Sequence, residues 1–103
     1  MELITEELKT RFKEMGQQDK PDPLVIAKFF NPSGSATWCV TEYLPEDNIC
    51  FEYVSGLVPG SDEWGYFSIE ELQSLRCPPY GLRIERDLHF TEIFFSQLKT
   101  NEL

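Results

Sequence analysis

The sequence predicts an α+β fold: a single antiparallel sheet of about five strands, with an N-terminal helix and a second short helix packed on one face. Three observations predict it. Four apolar, β-branched or aromatic runs follow one another between residues 24 and 67, joined by short connections rich in turn residues. Short connections make consecutive strands antiparallel neighbours. A helical apolar stripe precedes these runs, and a helix-start signature followed by one more alternating run comes after them, the segregated order of an α+β chain.

The N-terminal helix is predicted over about residues 5–15. Thr5 is its N-cap, Glu6 and Glu7 sit in the first turn where the helix dipole favours them, and Gly16 occupies the C′ position. Leu8, Phe12 and Met15 recur at i, i+4 and i+7 and give one apolar stripe for docking on the sheet. Residues 17–23 are a loop. PLVIAKFF forms a strand over 24–30, apolar on both faces, and NPSG at 31–34 turns the chain. ATWCVTEYL at 36–44 is the second strand, PEDN at 45–48 a turn, ICFEYVSGLV at 49–58 the third strand, PGSDE at 59–63 a turn and WGYF at 64–67 the fourth strand. Ser68 and Glu71 form the capping signature of a helix over about 69–75, which CPPYG at 77–81 ends. LRIERDLHF at 82–90 is the fifth strand, and TEIFFSQLK adds a helical turn or two capped by Thr91.

The chain has 103 residues, enough for a single domain, with a hydrophobic fraction of 41% and an aromatic fraction of 14%. No apolar run approaches the roughly 20 residues of a membrane span, and MELITEELKTRF has no basic segment leading into an apolar one, so a secretory signal is not expected. The net charge is −9, and it is unevenly spread. From Phe29 to Leu75 the chain carries eight acids (Glu42, Glu46, Asp47, Glu52, Asp62, Glu63, Glu70 and Glu71) and no Lys or Arg. That field disfavours nucleic acid and anionic lipid as partners, because nucleic-acid affinity comes largely from basic side chains displacing counterions. Nucleic-acid binding would require Lys9, Arg11, Lys13, Lys20 and Lys28 to gather on one face. The three cysteines, Cys39, Cys50 and Cys77, are odd in number, contain no C-x-x-C and have only His89 beside them, so neither a disulfide framework nor a zinc site is expected. A reducing cytoplasm fits this usage.

The second hairpin is registered by its turn. If Leu44 faces Ile49, then Trp38, Val40 and Glu42 share a face with Phe51, Tyr53 and Ser55, and this more aromatic face is the core side. Glu42 is then a carboxylate on the core side. In the fifth strand Arg86 shares a face with Leu82, Ile84 and Leu88, a cation among apolar neighbours. A buried charge needs a partner, so Arg86 is expected to pair with Glu42, or failing that with Glu63. Glu85 and Asp87 lie side by side on the opposite face, about 7 Å apart, a spacing that suits either a metal with a third ligand or a solvated edge.

No nucleophile elbow, phosphate loop, dinucleotide fingerprint or H-E-x-x-H occurs, so no catalytic residue, metal or cofactor is assigned. Cys77 beside Arg76 reads as a plain loop thiol. Trp38, Phe51, Tyr53, Trp64, Tyr66 and Phe67 concentrate in strands two to four, and any of them exposed beside the acidic loops would mark a partner surface.

Taken together, KFF at 28–30, Trp38 and Glu42 as W-x-x-x-E, GYFS at 65–68 followed by EL at 71–72, and GLRIERD at 81–87 resemble a small bacterial family known as domain of unknown function 2958. The resemblance covers about residues 3–90, so the domain reads as a family-like core over 1–90 and a variable C-terminal tail over 91–103. It implies a short cytoplasmic protein encoded on conjugative plasmids and other mobile elements, with no established activity, cofactor or catalytic residue. The family pattern commonly has glycine where this chain has Glu52, and IFFSQLKTNEL does not match it.

Two readings of function follow. The first is a non-enzymatic accessory protein that binds a basic protein partner through an acidic surface of Glu46, Asp47, Asp62 and Glu63 and nearby aromatics. The second is a small enzyme or ligand-binding domain built on Glu42, Arg86, Glu85 and Asp87, with Trp38 beside them. A pocket opening onto that cluster favours the second, and a buried cluster under a convex acidic surface favours the first.

Overall fold

The computed structural model describes residues 2–18, 21–57 and 60–101. Helix α1 spans Glu6–Met15, with Thr5 accepting a hydrogen bond from the Leu8 N–H and Gly16 closing it at φ 61°. Strands β1 (Leu24–Val25), β2 (Ala27–Phe30), β3 (Thr37–Leu44), β4 (Ile49–Ser55) and β5 (Glu63–Ser68) follow. Helix α2 (Ile69–Ser74), strands β6 (Glu85–Arg86) and β7 (Ile93–Phe94) and helix α3 (Phe95–Asn101) complete the order. The main sheet has five antiparallel strands in the order β5-β4-β3-β2-β6. The fold is therefore the predicted α+β class, with α1 and α2 contributing to the main core.

The structure departs from the sequence reading at several points. The apolar run 24–30 is two strands, because the chain changes sheets at Ile26: β1 pairs with β7 in a second, two-stranded sheet, while β2 stays in the main one. Apolarity on both faces fits a segment that is covered from two sides. The strand expected over 82–90 is reduced to Glu85–Arg86, and Leu82 makes only an isolated bridge to Cys77. Asp87 ends β6 by accepting the His89 N–H at 2.9 Å, which diverts the chain into a turn. The Pro78–Pro79 bond is cis. The tail is built into the fold, with Leu98 fully buried, and the cap of α3 is Asp22 rather than Thr91: its carboxylate accepts the Ser96 N–H and hydroxyl, both at 2.7 Å. Arg11 of α1 holds the same region through a two-pronged contact with Glu92, 2.8 Å on each oxygen. The expected end of the third strand at Val58, the start of the following turn at Pro59, and Lys20 lie outside the described residues.

A β-bulge decides which side chains face which core. From Leu44↔Ile49 to Glu42↔Phe51 the β3–β4 register is the one predicted from the turn. Between Val40 and Glu42 it shifts by one, so that Val40 faces Glu52 and Trp38 faces Val54. One extra residue, Thr41, inverts every later face assignment. The inner face, under α1 and α2, thus carries Trp38, Val40, Cys50, Glu52 and Val54 with Phe29 and Ile84. The outer face carries Cys39, Phe51 and Tyr53. Val25, Cys39 and Leu98 form a smaller core there, with Tyr53, Phe90, Ile93 and Phe95 packed around it.

Gly56 joins two turns. It lies at φ 72°, its N–H is accepted by Asp62 at 3.1 Å, and its carbonyl accepts the Ser35 hydroxyl at 3.0 Å. A Cβ there would collide with the Ser35 carbonyl oxygen. Gly56→Ala is expected to cost about 2–3 kcal/mol, from left-handed backbone strain plus displacement of a backbone group. Urea unfolding checks this, with a fall in midpoint at unchanged slope as the expected result.

Candidate functional site

The expected Glu42–Arg86 pair does not form. Directly opposed residues share a face, so Arg86, opposite Phe29, is on the inner side, whereas Glu42, opposite Phe51 beyond the bulge, is on the outer side. Glu63 is no substitute: it starts β5, four strand spacings or about 19 Å across the sheet from β6. The inner acid is instead Glu52, fully buried one register position from Trp38. Neither of its carboxyl oxygens, nor the Trp38 indole N–H, has a hydrogen-bond partner among the described residues. Burial without a partner penalises the charged form and pushes the Glu52 carboxyl up to about 9. At neutral pH it is a neutral acid. Burial, reinforced by Glu52, also drives the neighbouring Cys50 thiol well above its ordinary range. Sequence reasoning missed Glu52 because the one-residue slip placed it in solvent; the alternation of Cys50, Glu52 and Val54 was the available signal.

Glu42 belongs to a groove. Its carboxylate accepts the Gln18 backbone N–H at 3.1 Å. Gln18 was not anticipated either: its side chain donates to the Leu24 and Thr41 carbonyls, at 3.0 and 2.9 Å, and accepts the Leu24 N–H at 2.8 Å. It thus satisfies the carbonyl of the bulged residue and fixes Glu42 at the rim. A cavity of about 730 Å³ opens there between α1 and the end of β3, lined by Lys9, Phe12, Lys13, Glu42, Tyr43 and Tyr66 among others. Its chemistry is mixed, with two lysines from α1, the rings of Phe12, Tyr43 and Tyr66, and the carboxylates of Glu6 and Glu42. Lys9 is held by Glu6 at 3.1 Å, and Tyr43 is 6.0 Å ring to ring from Phe12.

The outer face carries a ladder of aromatic rings. Phe51 stacks on Trp64 at 5.4 Å and 14°, and meets Tyr66 at 4.9 Å. Tyr53 and Phe95 both contact Trp64 and each other, with centroids 4.9–5.4 Å apart. Phe51, Tyr53, Trp64 and Phe95 are half-buried, and Tyr66 is 63% exposed. Only Trp38 and Phe67 of the sequence's aromatic group turn inward, in an edge-to-face contact at 6.4 Å. Glu46, Asp47, Asp62 and Glu63 are all exposed, but they form two sites. Glu46 and Asp47 occupy the β3–β4 turn and Asp62 and Glu63 the opposite end of β4, whose seven residues separate them by about 20 Å.

The remaining candidates are dispersed. Glu85, opposite Phe30, points to the outer face, and Asp87 lines a separate cavity of about 490 Å³ with Lys28, Asn31 and Thr37. No group of three His, Cys, Asp or Glu side chains placed to hold a metal occurs among the described residues. Cys39, Cys50 and Cys77 are buried thiols. Among the described residues the basic side chains do not all gather on one face: Lys9 and Lys13 face the groove, Arg11 turns to Glu92, and Lys28 lines the other cavity. No described helix is long and apolar enough to cross a membrane.

Compared with known proteins, the chain matches the sequence model of a family described as "Protein of unknown function (DUF2958)" over residues 2–97. The match runs past residue 90, through β7 and into α3, in keeping with a C-terminal segment that completes the second core. No curated protein and no solved structure matches the chain.

Proposed function

We propose that this chain, which belongs to the DUF2958 family, is a non-enzymatic binding module that docks a basic protein partner on its outer sheet face. The observation that carries this reading is the half-exposed aromatic ladder Tyr66–Phe51–Trp64–Tyr53, set in a stretch of chain with eight acids and no basic residue. Aromatic rings supply contact area at little entropic cost and attract cations to their faces, and surrounding carboxylates steer a basic partner to them. A cytoplasmic accessory role on a mobile element is the setting that the family resemblance implies. The test is affinity capture from a native lysate, compared across Tyr66→Ala, a Glu46→Lys/Asp47→Lys double variant and an Asp62→Lys/Glu63→Lys double variant. A partner lost with Tyr66→Ala and with one of the two charge reversals supports the reading and says which end of β4 the partner covers. Capture unchanged in all three overturns it.

A second reading is favoured by the cavity at Glu42, whose volume lies in the range of small-molecule sites. There Lys9 and Lys13 would hold an anionic group and Glu42 a cationic one, with Phe12 and Tyr43 packing an apolar body between them. A small-molecule screen by thermal shift tests this: a stabilising ligand whose effect disappears in both Glu42→Gln and Lys13→Ala is the expected result.

A further inference from the structure

We infer that strand β5 is a docking edge, and that an extended segment of a partner protein with Lys or Arg at alternate positions adds to it as a sixth strand of the main sheet. This deepens the proposed function by naming how the partner binds and rests on that reading. Among the described residues β5 pairs only with β4 and ends the sheet, so a row of its N–H and C=O groups faces away from the ladder. Folded proteins blunt such edges with lysines, prolines, bulges or very short strands. The other edge of this sheet, β6, is two residues long. β5 has none of these defences. It is six residues long, EWGYFS, contains no Lys, Arg or Pro, and pairs with β4 in unbroken register from Ile49↔Ser68 to Val54↔Glu63.

Charge and side chains identify the occupant. Asp62 and Glu63 stand at one end of β5 and Glu70 and Glu71 at the other, and no basic residue occurs between Phe29 and Leu75. A second copy of this chain would bring the same acids against them. A basic strand neutralises them. Trp64 and Tyr66 project from the outer face of β5, two residues apart, and side chains of an added strand repeat with that same period on that face. Alternate cationic side chains of the partner therefore lie against the Trp64 and Tyr66 rings, while main-chain hydrogen bonds supply the affinity.

The test titrates the full chain with an eight-residue peptide of alternating arginine and valine, at low salt. Its controls are a glutamate–valine counterpart and an arginine–valine peptide N-methylated at its four central residues. Tryptophan fluorescence and amide hydrogen exchange are read together. The expected result is binding of the arginine peptide alone, at least tenfold weakening by N-methylation or by Trp64→Ala, and slowed exchange at alternate amides of residues 63–68. Equal binding of the N-methylated peptide without slowed exchange overturns strand addition and leaves the proposed function standing. No binding of either basic peptide overturns both. A dimer of the chain whose β5 amides are protected without peptide assigns the edge to a second copy and overturns the inference.

Discussion

Replacing Glu52 by Gln is expected to stabilise the protein at neutral and alkaline pH and to flatten its stability profile. Glu52 is fully buried, its carboxyl oxygens lack described partners, and its folded value is about 9, against about 4.3 in an unfolded chain. The folded state therefore holds the proton more tightly than the unfolded one. The associated stability is fully present below the unfolded value near pH 4 and is lost as pH rises towards 9, at about 1.4 kcal/mol per pH unit within that window. At pH 7 the loss is about 4 kcal/mol, a large part of the stability of a domain this size. Glutamine keeps the shape and removes the titration, although its second amide proton adds a donor to an apolar site. Glu52→Met, with no hydrogen-bonding group to satisfy, offers the cleaner comparison. Both variants should show higher urea midpoints than wild type at pH 8 and a shallower pH slope between 5 and 8. A wild-type profile as flat as that of Glu52→Met would show that the carboxylate finds compensation in its folded setting.

The same residue shows where sequence reading reached its limit. The strands from Thr37 to Ser68, their antiparallel order, α1 with its Thr5 cap and α2 with its Ser68 cap were legible, since each depends on local pattern and turn chemistry. The turn at 45–48 even gave the correct register for three residue pairs. The bulge at Thr41 was not legible, because its cause is distant in sequence: Gln18, more than twenty residues earlier, supplies the donor that the bulged carbonyl needs. From that single slip follow the exchange of Glu52 for Glu42 on the inner face, the absence of a Glu42–Arg86 pair, and the outward turn of Phe51 and Tyr53. The β1–β7 sheet was hidden for a related reason. Two-residue strands leave almost no period to detect, and Val25 meets Ile93 only because the tail folds back. What the sequence revealed of the proposed binding surface was its charge and its aromatic content; which rings face out depended on the bulge.

Gln18→Ala should be among the most damaging single substitutions in the chain. The side chain is only 8% exposed and makes three hydrogen bonds to main-chain groups of two separate strands. Its loss strands the Thr41 and Leu24 carbonyls and the Leu24 N–H, and each buried main-chain group left without a partner costs about 1–3 kcal/mol. Water entering the gap would recover part of this, so a net loss of about 3–5 kcal/mol is expected, read as a fall in urea midpoint. Gln18→Glu separates hydrogen bonding from packing. A carboxylate fills the same volume and still accepts from Leu24, but it cannot donate, and its second oxygen would face the two carbonyl oxygens that the amide now bridges. Gln18→Glu should therefore be destabilised about as much as Gln18→Ala at pH 7 and recover in part at low pH, where the acid is protonated and donates again. Because the Gln18 N–H also holds Glu42, both variants should loosen the groove wall, visible as faster hydrogen exchange through residues 41–44. A Gln18→Ala variant of wild-type stability would mean that the bulge is maintained by the Thr41 hydroxyl and the β4 pairing alone, and that Glu42 keeps its place without the loop behind it.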